Sequence, residues 1–132
     1  MKTVAKSLVL FCIVLAFVIV NTILLNNLIS DIKEQLDLIP DTQQSIDNMS
    51  RQQRGEYSEI LEKIKDKWRS WEQYIYITLN HDVSAEFTDS FLPAAKYFEA
   101  GEYSSYLAEL SKSKDILKQI KHNEGVSFGT LF

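Results

Sequence analysis

Ser7-Leu-Val-Leu-Phe-Cys-Ile-Val-Leu-Ala-Phe-Val-Ile-Val20 opens a stretch that reaches Ser30 with no ionisable group other than the Cys12 thiol. Roughly 20 apolar residues at about 1.5 Å of rise each match the hydrocarbon core of a bilayer. The stretch therefore reads as a transmembrane helix over residues 7–27. A cleaved signal peptide would carry small residues in an Ala-x-Ala pattern after its apolar core. Val18-Ile-Val-Asn-Thr-Ile-Leu-Leu25 offers no such pair, so the helix is expected to stay as an anchor. Phe11 stands before Cys12 where a lipoprotein would need a small residue, which leaves Cys12 as a lone thiol facing lipid or a neighbouring helix.

Orientation follows from the flanking charges. Lys2 and Lys6 precede the span, whereas Asp31, Lys33, Glu34 and Asp37 follow it. The cationic excess places residues 1–6 in the cytoplasm and everything beyond about Asn26 outside it. All 18 acidic residues lie beyond the span and two of the 14 basic ones lie before it, so the exported part carries a net charge of −6. That sign opposes nucleic acid, which wants a basic face. The exported part has no cysteine and so has no disulfide framework. About 100 residues suffice for one small core. Two prolines, four glycines and few β-branched residues favour helices.

Beyond the span, Leu28, Ile32, Leu36 and Ile39 form a narrow helical stripe, which reads as a stalk continuing the membrane helix until Pro40 interrupts it. Asp41 or Thr42 is placed to cap a short helix through Ile46 and Met49, and Ser50 to Gly55 reads as its end or a loop. Tyr57, Ile60, Leu61, Ile64, Trp68, Trp71, Ile75 and Leu79 then keep to one helical face over about six turns. Asn80-His-Asp82 ends that helix and starts a third, with Asp82 as cap. The third carries Val83, Phe87, Phe91 and Phe98, is kinked at Pro93 and stops at Gly101. A last helix with Tyr103, Tyr106, Leu107, Leu110, Leu117 and Ile120 is expected to end near Asn123-Glu-Gly125. The apolar tail Val126–Phe132 is expected to fold back on the core. Gly55-Glu-Tyr-Ser58 recurs as Gly101-Glu-Tyr-Ser104, which reads as a shared stop-and-start signal in preference to a duplication.

No constellation of residues speaks for catalysis. His81 and His122 are far apart in sequence and lack companions at metal-ligand spacing. There is neither a nucleophile elbow nor a glycine-rich phosphate loop. No enzyme activity and no cofactor are expected. The aromatics crowd the middle of the exported part, and Trp68, Trp71, Phe87 and Tyr106 are the candidate partner or ligand surface among them.

A single N-terminal span, then Trp71, His81-Asp82, the Leu107-to-Ile120 pattern and Glu124-Gly-Val-Ser-Phe-Gly-Thr-Leu-Phe132 together resemble the single-pass membrane family catalogued as domain of unknown function 4363. The resemblance implies a small membrane-anchored helical protein of Gram-positive bacteria with no established activity, working with a membrane partner.

The expected architecture is all-α: a cytoplasmic end (1–6), a transmembrane helix (7–27), a stalk with a short helix (28–54) and a small antiparallel helical bundle outside (55–132). The expected function is non-catalytic. The chain would sit in the lipid bilayer and bind or stabilise a membrane or cell-envelope protein, or a second copy of itself. The alternative is a sensory ectodomain that uses the aromatic cluster as a ligand pocket.

Overall fold

The computed structural model describes residues 1–78 and 81–131, and the side chains of 1–75 and 82–120. Among the described residues every regular element is a helix: α1 (Lys2–Leu36), α2 (Gln43–Asp47), α3 (Arg51–Ser70), α4 (Glu72–Thr78), α5 (His81–Ala100) and α6 (Tyr103–Leu131). The all-α expectation holds.

The helix α1 is unbroken for 35 residues, about 52 Å, and is long and apolar enough to cross a membrane. Its surroundings change abruptly. The large apolar side chains from Val4 to Leu24 are largely exposed, with Leu24 at 41 %, whereas the next residue, Leu25, is 2 % exposed. From there Leu25, Leu28, Ile29, Ile32 and Leu36 form a buried stripe at helical spacing. The stripe read as a stalk is thus one wall of the core. It packs against α3 and α6, because a row of aliphatic side chains gains more by burial than by standing in water.

The register of the other helices follows from polar contacts across their faces. The Tyr106 hydroxyl donates to the Pro40 carbonyl at 2.7 Å, and Lys114 pairs with Asp41 at 3.1 Å and Asp37 at 3.8 Å, so α6 runs antiparallel to α1. Lys67 meets Asp31 at 2.9 Å and Tyr74 meets Asn21, so α3 and α4 run antiparallel to α1 as well. Arg54 donates to the Glu99 carbonyl and Trp68 to the Thr88 hydroxyl, which sets α5 antiparallel to α3. Neighbours around the ring are α1, α3, α5 and α6, the last packing back on α1. This is an up-down-up-down four-helix bundle whose first helix is the outer third of α1.

Local chemistry explains the boundaries. Ile39 precedes Pro40 and avoids the α region, so α1 ends at Leu36 in a tight turn. Thr42 caps α2 in a reciprocal box with Ser45. Ser50 does the same for α3 with Gln53, so the run Ser50 to Gly55 forms the first turns of a helix and not a loop. The expected six-turn helix is divided at Trp71, whose amide is shared between the carbonyls of Lys67 and Trp68. Asp82 lies in the first turn of α5 and does not precede it, and α5 runs on through Pro93. Leu79 and Asn80 lie outside the described residues. At Gly101 φ is +77°, the Gly101 amide donates to Phe98 and the Glu102 amide to Tyr97, which together make a Schellman stop. The backbone of α6 continues past Gly125 to Leu131, so the tail belongs to a helix, and how its side chains pack lies outside the described residues.

The repeated Gly-Glu-Tyr-Ser is not a common signal. Gly55 lies inside α3, and Gly101 ends α5. Alanine would meet no atom within 4 Å at either position, so backbone preference alone decides the outcome. Gly101→Ala is expected to destabilise by about 1–2 kcal/mol through its left-handed conformation. Gly55→Ala is expected to stabilise by roughly 0.5–1 kcal/mol in the helix interior. Denaturant titration of the two variants checks the opposite signs.

The five buried side chains of α1 also carry a consequence. At roughly 1.5–3 kcal/mol each they contribute on the order of 10 kcal/mol, as much as the whole stability of a small domain. A fragment of residues 55–132 is therefore expected to lose cooperative unfolding by circular dichroism, whereas residues 21–132 keep it.

Candidate functional site

Of the four residues expected to form a surface, three form the core. Trp68 is 1 % exposed, and Phe87 and Tyr106 are fully buried. The Trp68 and Phe87 rings meet at 4.2 Å between centroids, Phe87 stacks on Phe91 at 5.5 Å, and Phe98 packs on Tyr106 at 5.0 Å. These side chains fill the middle of the ring of helices, where each large ring buries a broad apolar area. Only Trp71 reaches the surface, half-buried, with its ring edge-on to Tyr74 at 5.4 Å. Sequence periodicity put all four on apolar helical faces, and the burial of Trp68, Phe87 and Tyr106 corrects their reading as a surface.

Among the described residues the polar side-chain atoms within this core are matched except the Ser84 hydroxyl, which is fully buried without a partner. The Trp68 Nε1–H donates to Thr88 Oγ1 at 2.9 Å, and that hydroxyl donates in turn to the Ser84 carbonyl. Ser90 and Ser113 join α5 to α6 through their hydroxyls at 2.9 Å. Tyr106 reaches across to the buried carbonyl of Pro40 and pins the corner after α1. Burial raises the Tyr106 phenol well above its ordinary value, with the Asp41 carboxylate and Tyr57 adding to the effect.

Two features involve α1 and its neighbours. A cleft of about 300 Å³ between α1 and α6 has Leu36, Leu110 and Leu117 as its floor and Lys33, Asp37, Asp41, Lys114, Asp115 and Lys118 at its rim. Lys114 is held there by both Asp37 and Asp41, so these rim charges serve to clamp α6 onto the corner. Among the described residues no group of three His, Cys, Asp or Glu side chains is gathered for a metal, and the side chains of His81 and His122 lie outside them.

The second feature is the junction of α1 with α4. The Tyr74 hydroxyl lies 2.8 Å from Asn21 Oδ1 and 3.2 Å from the Asn21 carbonyl. The Thr22 hydroxyl donates to the Val18 carbonyl one turn back in its own helix. The Asn21 oxygens and the Thr22 hydroxyl, polar groups near the outer end of the apolar segment, thus find partners within the chain, and Asn26 is exposed. The signal that would have found Tyr74 was its displacement from the Trp68–Ile75 stripe toward α1.

Residues 21–131 match the family model described as a domain of unknown function, DUF4363. The chain belongs to the DUF4363 family. No curated protein and no solved structure matches it. The region shared with DUF4363 includes Asn21 to Leu36, so the outer part of α1 is family domain and not a generic tether.

The pinning contact in this DUF4363 bundle has a pH dependence. An unfolded phenol ionises near pH 10.0, and the buried Tyr106 resists doing so. The stability held by the neutral phenol is complete below that pH and is lost as pH rises toward the raised folded-state value. Tyr106→Phe is expected to remove this alkaline loss relative to wild type. At neutral pH it is expected to cost about 1–3 kcal/mol, because the Pro40 carbonyl loses its donor. Denaturation curves of both proteins between neutral and strongly alkaline pH check the crossover.

Proposed function

We propose that this DUF4363 chain is a non-catalytic, single-pass membrane protein that binds or stabilises another membrane or cell-envelope protein. Its N-terminus lies in the cytoplasm and its four-helix bundle outside. The observation that carries this reading is the exposed apolar surface of α1 from Val4 to Leu24. Its 21 positions span about 30 Å, the thickness of a bilayer core, and it stops where the buried stripe of α1 begins. Lys2 and Lys6 at the near end support the orientation.

The filled core supports a scaffold over a sensor. A ligand-binding reading needs an open pocket among Trp68, Phe87 and Tyr106, and these rings are packed against their neighbours. What α1 and the bundle present instead are outer faces, suited to another protein.

The test is photo-crosslinking of the full chain in native membranes. Crosslinkers at Phe11 and Val18 sample α1, and others at Glu56 and Lys112 sample the bundle. Discrete protein adducts, identified by mass spectrometry and absent when the crosslinker is moved to a non-contacting face, are expected. Silence from every position, with a monomeric chain, sinks the proposal. A cysteine at Glu56 is expected to react with an impermeant maleimide in intact cells, and one at Thr3 only after lysis; the reverse pattern overturns the orientation.

A further inference from the structure

The bond between Tyr74 and Asn21 fixes the height of the bundle on α1. Asn21 lies on the N-terminal side of Ile23 and Leu24, which are apolar and exposed at 53 % and 41 %. If those two side chains face lipid, the Tyr74 hydroxyl sits two to three residues deeper, roughly 3–5 Å, than the last lipid-facing position of α1. The end of the bundle formed by α4 therefore overlaps the apolar zone of α1 and does not stand above it.

The chemistry of that end suits the overlap. Trp71 and Tyr74 are both half-buried and meet edge-on, each with an apolar ring and a polar tip. Such side chains collect at the headgroup level of membranes. From Gln73 to Thr78 the sequence Gln-Tyr-Ile-Tyr-Ile-Thr carries no charge. Glu72 at the start of α4 and Asp82 at the start of α5 are the acidic residues that flank it, and the Lys67–Asp31 pair lies further out along both helices.

Resting on the reading that α1 spans the bilayer, we propose that the α4 end of the bundle is seated in the outer leaflet, with Trp71 and Tyr74 in its interfacial layer. The occupant of this surface is lipid. The bundle is a partly immersed cap on its own anchor, held at that depth by the Tyr74–Asn21 bond.

Spin-label accessibility of the full chain in vesicles of phosphatidylcholine and phosphatidylglycerol tests this. One nitroxide is placed on the native Cys12. In a Cys12→Ser background, others are placed at Gln73→Cys beside the aromatic pair and at Glu56→Cys at the far end; all three positions are exposed. The oxygen-to-nickel-chelate accessibility ratio is expected to be highest at Cys12 and several-fold higher at Gln73 than at Glu56. A Gln73 ratio equal to that of Glu56, with Cys12 still protected from nickel, overturns the seating while the anchor stands. Three water-like ratios overturn the anchor and the seating together. A Gln73 label shielded from both reagents also overturns it, because a second copy of the chain then covers α4 in place of lipid.

Discussion

The structure depends on one uninterrupted helix that changes surroundings between Leu24 and Leu25. On one side of that step α1 is apolar around its whole circumference from Leu8 to Val20. On the other side a stripe of five residues faces a core and the rest is polar. Because the backbone hydrogen bonding runs through the step without a break, the two halves cannot rotate or tilt independently. The position of every other helix is therefore set relative to the apolar half. The ring α1–α3–α5–α6 closes on a wall that is itself the continuation of the apolar segment.

That arrangement explains which parts of the fold were legible in the sequence. The helical period at Leu61, Ile64 and Trp68 identified a buried face, and Gly101 identified a stop, since both depend on local chemistry. The stripe from Leu28 to Ile39 was read correctly as a stripe, and its burial shows it to be a wall of the core and not a free stalk. Periodicity reports that a face is apolar, and it does not report what lies opposite it. The partner, α6, stands some seventy residues away, and nothing near Leu28 announces it. Likewise the aromatic residue types were visible, yet only the closing of the ring decides that Phe87 and Tyr106 are inside and Trp71 is at the margin.

Two misreadings have a shared cause in context. Ser50 and Gln53 make a capping box, and the sequence held that signal. The apolar period starts only at Tyr57, which disguised the first turns of α3 as a loop. Once Ser50 has capped a helix, Gly55 is carried along inside it. The same four residues at Gly101 follow a helix of twenty residues, and there the glycine takes the left-handed conformation that only it adopts at little cost. A short shared string is weak evidence of duplication when its neighbours assign it opposite roles.

The polar residues near the outer end of the apolar segment constrain where a partner could dock. In a bilayer an amide without a partner is costly, so an asparagine in a membrane helix is commonly satisfied by a neighbouring helix. Here Tyr74 of the same chain occupies that position at Asn21, and the Thr22 hydroxyl turns back on its own helix. The acceptor side of Asn21 is thereby taken up within the chain, while Asn26 and Asn27 further along α1 stay exposed. A partner within the bilayer would pack on the apolar surface between Leu8 and Val20, largely by shape, and a partner outside it would meet the charged outer faces of α5 and α6. On the proposed reading, recognition by shape in lipid would fall to the apolar part of α1 and recognition by charge in water to α5 and α6.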